Sequence, residues 1–133
     1  MYVLDTNVLS ALRRPDRAHK VANWLQQQSE SQLFLSVITL GEIERGITQQ
    51  EQRNPEFAAD LQAWIDRTML LFGDRLLPFG PEEARIWGRL SAHLGHNGAD
   101  LLIAATALAR GAIVVTGNVT DFEPTGVEIV NPF

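Results

Sequence analysis

The first acidic residue of the chain stands at a position where α/β proteins bind ligands. Asp5 directly follows the β-prone apolar run Tyr2-Val3-Leu4, and the helix-capping residues Thr6 and Asn7 come after it. In an open α/β sheet, such a junction lies at the carboxyl edge of the strands, where ligands bind. An aspartate can also serve only as a helix cap. Because Thr6 and Asn7 are expected to provide the cap, Asp5 is a candidate for chemistry.

Three further acids are predicted to reach the same edge. Glu42 follows the second apolar run and lies three residues after Thr39, which is the spacing of a capping box, so it can cap a helix, bind a ligand or do both. Asp100 stands in the first turn of a helix that is apolar nearly all round, where the helix dipole favours negative charge. No basic residue lies within a few positions of it. Asp121 follows the fourth predicted strand.

These four carboxylates together predict a divalent metal site. Crowded carboxylates repel one another and take up protons unless cations bind among them. Oxygen ligands in a chain without cysteine favour Mg²⁺ or Mn²⁺. Two such ions about 4 Å apart can support hydrolysis of a phosphodiester. His93 and His96 could face the same way on a helix, but Gly95 separates them and no third nitrogen or sulfur ligand lies nearby, which disfavours zinc.

Length and composition predict one cytoplasmic domain over residues 1–133. The chain is long enough to bury a core, and the absence of cysteine suits a reducing compartment. The amino terminus lacks the pattern of a signal peptide, and the longest apolar run, Leu101 to Ala105, is too short to span a membrane. We therefore expect no membrane association.

The formal net charge of −5 has the wrong sign for a general nucleic-acid binder. Setting the four candidate ligands aside from the 16 acidic residues leaves 12 acids against 11 basic residues, so much of the acidity can belong to the site. The most basic neighbourhood holds Arg13, Arg14, Arg17 and Lys20. This cluster fits an ordinary solvated helix face or a patch that contacts RNA.

Apolar periodicity predicts an α/β sandwich with a mostly parallel sheet. Strands are expected at residues 2–4, 33–38, 75–79, 112–116 and 127–130, with helices between them. A short helix is expected to end near Gly46, and residues 49–54 to form a polar connection. Asn54-Pro55 then starts a long helix with a cap and a first-turn proline.

Five motifs in order along the chain resemble the PIN-domain superfamily, and more narrowly the VapC or FitB-like toxins of bacterial type II toxin–antitoxin pairs. The motifs are Leu-Asp5-Thr-Asn7, Ser36-Val-Ile-Thr-Leu-Gly-Glu42, Asp100-Leu-Leu-Ile-Ala-Ala-Thr-Ala, Val-Thr116-Gly-Asn118-Val-Thr-Asp121-Phe and the ending Asn131-Pro-Phe. The resemblance implies a PIN-like three-layer sandwich and a Mg²⁺- or Mn²⁺-dependent endoribonuclease. It also implies a homodimer and inhibition by a cognate antitoxin whose tail enters the acidic groove.

The resemblance assigns roles to individual residues. Asp5, Glu42 and Asp100 match the metal-binding acids of the family, and Asp121 matches a less regular acidic position. Thr6, Asn7, Thr116 and Asn118 match supporting polar positions. The chain departs from the family pattern in two places. Gly117 stands where relatives often have an arginine that contacts RNA, and the connection of residues 95–99 before Asp100 is short.

Other functions of an acidic α/β pocket fit less well. A haloacid-dehalogenase-like phosphoryl transferase would have a second aspartate two residues after Asp5, where this chain has Asn7. A receiver domain needs a lysine at the pocket, and the one lysine, Lys20, lies in an early predicted helix. The remaining alternative is a PIN fold with weak or no catalysis that acts as a nucleic-acid or protein-binding module.

Overall fold

The computed structural model describes all residues, 1–133. Its strands are β1 (Tyr2–Leu4), β2 (Leu33–Ser36), β3 (Leu76–Leu77), β4 (Ile113–Val115) and β5 (Ile129–Val130). Its helices are α1 (Thr6–Leu12), α2 (His19–Gln26), α3 (Val37–Glu51), α4 (Pro55–Phe72), α5 (Pro81–Leu94), α6 (Ala99–Leu108) and α7 (Val119–Phe122). No helix is both long and apolar enough to cross a membrane.

The five strands form one sheet in the order β3-β2-β1-β4-β5, and every neighbouring pair is parallel. β1 lies at the centre, with Tyr2 opposite Leu33 on one side and Ile113 on the other. Parallel strands end at the same edge, so the residues that follow β1, β2 and β4 are brought together. The predicted α/β sandwich is confirmed, and its sheet is entirely parallel.

Side chains alternate between the two faces of the sheet. Leu4 and Val115 belong to a core cluster shared with α1 to α4, while Val3 and Val114 belong to a second cluster shared with α6 and α7. Parallel strands with both faces covered are typically apolar on both faces, as these are. Six of the ten residues of α6 are buried and none is exposed, as its composition predicts. The molecule is therefore built as three layers: helices, sheet, helices.

Several predicted boundaries are wrong. β2 ends at Ser36 rather than residue 38, because the Ser36 hydroxyl accepts a hydrogen bond from the Ile38 N–H and starts α3 there. α3 continues to Glu51, through residues predicted to form a polar connection. That segment is solvent-facing helix, which shows no apolar period. The outer strands β3 and β5 are shorter than predicted, at two residues each.

Glu83 links α5 to the end of α6. It is 6% exposed, and its carboxylate accepts hydrogen bonds from the Gly80 N–H at 3.1 Å and from Arg110 at 3.0 Å. Its own backbone N–H is the largest influence that lowers its pKa, with Gly80 and Arg110 adding to this against the opposing effect of burial. The charged form of Glu83 is therefore stabilised by folding.

We expect Glu83→Gln to lower the free energy of unfolding by about 2 kcal/mol at neutral pH. A carboxylate whose pKa is lowered by folding contributes stability above its unfolded pKa, and this is lost as pH falls through the folded pKa. The difference between wild type and variant should therefore shrink below about pH 4. Urea titrations at several pH values measure it, with Glu82→Gln at the exposed neighbouring position as the control. A pH-independent difference would contradict the role of the charge.

Candidate active site

Asp5 lies at the carboxyl end of the central strand and begins the first helix. Its carboxylate Oδ1 accepts a hydrogen bond from the Thr6 N–H at 2.7 Å, so Asp5 is itself the N-cap of α1. The expectation that Thr6 and Asn7 would provide the cap is wrong, because both residues are already inside the helix. Capping uses only one oxygen of Asp5, which leaves Oδ2 for other partners.

The second oxygen of Asp5 joins it to β4. Thr116, fully buried directly after β4, donates its hydroxyl to Asp5 Oδ2 at 2.7 Å, and the Asn118 N–H donates to the Thr116 hydroxyl at 2.9 Å. Asp5 is only 3% exposed. Thr116, predicted to be a supporting residue, thus contacts Asp5 by a hydrogen bond, and Asn118 contacts Thr116 through its backbone.

Glu42 reaches the site through Thr6. The Thr6 hydroxyl donates to Glu42 Oε1 at 2.7 Å and lies 3.3 Å from the Thr39 hydroxyl. The capping box predicted for Thr39 and Glu42 is wrong, because α3 already begins at Val37 and Glu42 stands in its second turn. Sequence reasoning missed the fully buried Thr39 as a neighbour of Thr6, since its capping-box spacing suggested a different role.

Asp5 and Asp100 are electrostatically coupled to the other acids. Burial is the largest cause that raises the pKa of Asp5, and Glu42 and Asp121 raise it further against the hydrogen bonds from Thr116 and Thr6. Burial likewise raises the pKa of Asp100, followed by the charges of Asp5 and Asp121. Asp5 therefore lies within electrostatic reach of Glu42, Asp100 and Asp121, and Asp100 also lies within reach of Asp121.

The four acids differ in depth. Asp5 is buried, Glu42 and Asp100 are half-buried, and Asp121 is exposed on α7. No three of the Asp, Glu and His side chains stand close enough together to enclose a metal ion by themselves. His96 lies near enough to Asp100 to oppose the rise of its pKa. The sequence had suggested His96 only in connection with zinc.

The donor set fits a hydrated Mg²⁺ or Mn²⁺ ion. Its candidate ligands are oxygen atoms, and such ions keep several waters instead of demanding a closed protein cage. The raised pKa values of Asp5 and Asp100 reflect burial and repulsion that a cation would relieve. In addition, the Asn7 Oδ1 is buried without a hydrogen-bond partner, although Asn7 was predicted to be a supporting hydrogen-bonding residue. It is a free acceptor two residues from Asp5.

Comparison with known protein families gives a match that covers almost the whole chain. Residues 2–123 match the PIN domain family. The chain belongs to the PIN domain family. All four candidate acids and Thr116 fall inside the matched region. The family resemblance noted in the sequence motifs is therefore confirmed.

Two known proteins and one solved structure are similar to this chain over nearly their full lengths. VapC ribonuclease Y4jK of Sinorhizobium fredii is 36% identical, with 100% of this chain and 98% of that protein covered. Toxin FitB of Neisseria gonorrhoeae is 31% identical, with coverages of 100% and 99%. The crystal structure of FitAcB from Neisseria gonorrhoeae has a TM-score of 0.86 at 30% identity, and the match covers 99% of this chain and 98% of that one.

Proposed function

We propose that this PIN protein is a Mg²⁺- or Mn²⁺-dependent endoribonuclease toxin that is neutralised by a cognate antitoxin. The observation that carries the proposal is the buried Asp5, held by Thr6 and Thr116 and electrostatically coupled to three further acids at one sheet edge. Full-length similarity to a VapC ribonuclease and to a toxin supports both the ribonuclease activity and the role as a toxin. Asp5, Glu42, Asp100 and Asp121 are the proposed metal ligands.

The residues around Asp5 have separate roles in the proposed reaction. When bound, the metal would supply Lewis-acid activation of water and of the scissile phosphate. Thr116 and the Thr6 N–H fix the orientation of the Asp5 carboxylate, and Thr6 fixes that of Glu42. Half-buried Asp100 and exposed Asp121 extend the acidic edge toward solvent. Without a bound cation, the negative charges of these carboxylates would repel the phosphates of RNA and so exclude it.

Cleavage of a mixed RNA pool by the purified chain tests this function. We expect cleavage with Mg²⁺ or Mn²⁺, none with EDTA, and recovery when the metal is added back. Asp5→Asn protein purified in parallel controls for contaminating nuclease. Metal-independent cleavage would contradict the proposed mechanism. RNA binding without cleavage in any metal would instead assign the chain to the alternative class of binding modules.

We expect Thr116→Val to lower cleavage by roughly 10- to 100-fold, the usual cost of removing a partner that orients a metal ligand. Valine keeps the shape of threonine but cannot donate to Asp5, so the pKa of Asp5 should rise further. Raising the Mg²⁺ concentration or the pH should then recover part of the activity. Thr125→Val, another buried threonine whose hydroxyl contacts only the backbone, is the matched control. Equal losses in the two variants would point to a stability effect alone.

A groove beside Glu42 suits the proposed antitoxin tail. It has a volume of about 330 Å³ and runs between α1, α3 and α4. Apolar side chains of Ile43, Phe57 and Trp64 line it together with Glu42. A basic residue of such a tail would pair with Glu42 while its apolar residues fill the groove. Addition of the cognate antitoxin should therefore stop cleavage.

The protein is also proposed to form a homodimer. Leu70 and Leu71 near the end of α4 are 85% and 76% exposed, which is unusual for two adjacent leucines. Light scattering of the purified protein should give twice the mass of 14.8 kDa. A monomer at micromolar concentration would contradict this part of the proposal and leave the nuclease assignment unaffected.

A further inference from the structure

A basic pocket lies at the far end of the helix that Asp5 begins. It has a volume of about 560 Å³, and its lining includes Ser10 from α1, Arg14 and Arg17 from the connection between α1 and α2, Lys20 from the start of α2, and Phe133. No acidic residue lines it. On a chain with a net charge of −5, this is a concentrated region of positive charge.

The cations of this pocket have no carboxylate partners. The one salt bridge of the protein joins Arg110 to Glu83, elsewhere in the fold. Arg14, Arg17 and Lys20 are all exposed. Three unpaired cations around a concave surface attract a polyanion, and arginine pairs well with phosphate oxygens. The concave arrangement of these cations adds support to the RNA-contact alternative that the sequence left open beside a solvated helix face.

Phe133 connects the pocket to the acidic site. A Cβ built on Gly117 would lie 2.9 Å from Phe133 Cδ2, so the ring packs directly on the Gly117 backbone. Gly117 follows Thr116, the residue that donates to Asp5. Phe133 as a whole residue is nevertheless 46% exposed, so it lies at the surface. The missing side chain at position 117 is what allows the ring to lie there.

We infer that this pocket binds single-stranded RNA next to the cleaved phosphodiester, with a base against Phe133 and backbone phosphates on Arg14, Arg17 and Lys20. An aromatic surface beside cations is how proteins hold unpaired nucleotides. Helix α1 rises about 7–8 Å from Asp5 to Ser10, so one strand can reach both the acidic site and the pocket. The inference rests on the proposed nuclease function and locates its substrate.

The charge contacts can be tested by binding without cleavage. All proteins carry Asp5→Asn and are measured in EDTA by the fluorescence anisotropy of a labelled oligouridylate at several salt concentrations. Each phosphate contact contributes about 0.7 to the slope of log affinity against log salt for a single strand. Arg14→Gln/Arg17→Gln should reduce the slope by about 1.4. The control Arg53→Gln/Arg67→Gln makes the same net charge change at exposed arginines elsewhere and should leave the slope nearly unchanged.

The stacking contact needs a separate variant. Phe133→Leu keeps an apolar side chain but removes the ring, and should weaken oligouridylate binding by roughly fivefold or more. Phe133→Trp should retain binding. An abasic ribose-phosphate oligomer should bind both variants equally, because it has no base to stack. Circular dichroism and thermal unfolding establish that each variant is folded.

Equal salt slopes for the two double arginine variants would overturn the inference. So would an equal effect of Phe133→Leu on the oligouridylate and the abasic oligomer. Tighter binding of oligoglutamate than of oligouridylate would assign the pocket to an acidic protein segment instead. Failure of the nuclease function is distinguishable, because it appears as absent metal-dependent cleavage by the wild-type chain. Failure of the pocket alone leaves that cleavage intact.

Discussion

Asp5→Asn should lower RNA cleavage by more than about 100-fold while leaving the protein folded. Removing a residue that only orients a metal ligand typically costs 10- to 100-fold. Loss of a proposed direct ligand that is also the most buried of the four acids should therefore cost more. Single-turnover cleavage of a fixed RNA, at equal protein and saturating Mg²⁺ or Mn²⁺, measures the effect. Cleavage within tenfold of wild type would exclude Asp5 as a ligand.

The fold should survive this change because asparagine keeps the cap of α1, although its NH₂ group cannot accept the Thr116 hydroxyl hydrogen. Its side-chain oxygen can still accept the Thr6 N–H that caps α1. The buried negative charge that Glu42 and Asp121 oppose is also removed. Thermal unfolding in EDTA should therefore give a Tm no lower than that of the wild type. A collapsed Tm would mean that lost cleavage reports unfolding, and Mn²⁺ titration of a folded sample would then decide the role of Asp5.

Asp100→Asn should have opposite effects on activity and stability. Burial, Asp5 and Asp121 raise the pKa of Asp100, so the folded protein binds this proton more tightly than the unfolded chain. Stability from this group is therefore greatest below the unfolded pKa near 4 and falls as pH rises through the folded pKa. At neutral pH the charged Asp100 destabilises the metal-free protein. Asparagine removes that cost and a proposed metal ligand together.

We therefore expect Asp100→Asn to raise the Tm in EDTA by a few degrees at neutral pH while cleavage falls by about 100-fold or more. The stability gain should stay below about 1 kcal/mol, because solvent screens a half-buried charge. The gain should disappear below about pH 4, where Asp100 is protonated in both states. Asp60→Asn, at an exposed site on α4, is the control.

Metal binding should reverse the order of stability of the wild type and Asp100→Asn. A ligand that binds only the folded state raises the free energy of unfolding in proportion to the logarithm of its concentration over Kd. Added Mg²⁺ or Mn²⁺ should therefore stabilise the wild type more than Asp100→Asn. If metal raised both Tm values equally, Asp100 would not be a ligand. A wild type more stable than the variant in EDTA would contradict the proposed electrostatic cost.

The sequence predicts some secondary-structure elements and candidate site residues better than others. Asp5 could be placed correctly because an apolar run ending in an acid and a helix is a local pattern. The burial of α6 was also predictable, since Leu101 and Ile103 lie among alanines with no polar face. Glu42 was placed at the correct edge for an incomplete reason. The capping box predicted with Thr39 does not form, because the Ser36 hydroxyl caps α3 by accepting from the Ile38 N–H.

By itself, the sequence determined the α/β class and the approximate elements, and it predicted four acids at one edge, because periodicity and strand ends are properties of neighbouring residues. Only the tertiary structure decided which groups hold these acids. Thr116 and Asp5 are 111 positions apart, and their hydrogen bond exists only because β1 and β4 pair in register. The packing of Phe133 on Gly117 and the basic pocket beside it likewise depend on where distant segments meet. Local secondary-structure propensities do not encode such contacts, because the contacts form and contribute free energy only once the chain is packed.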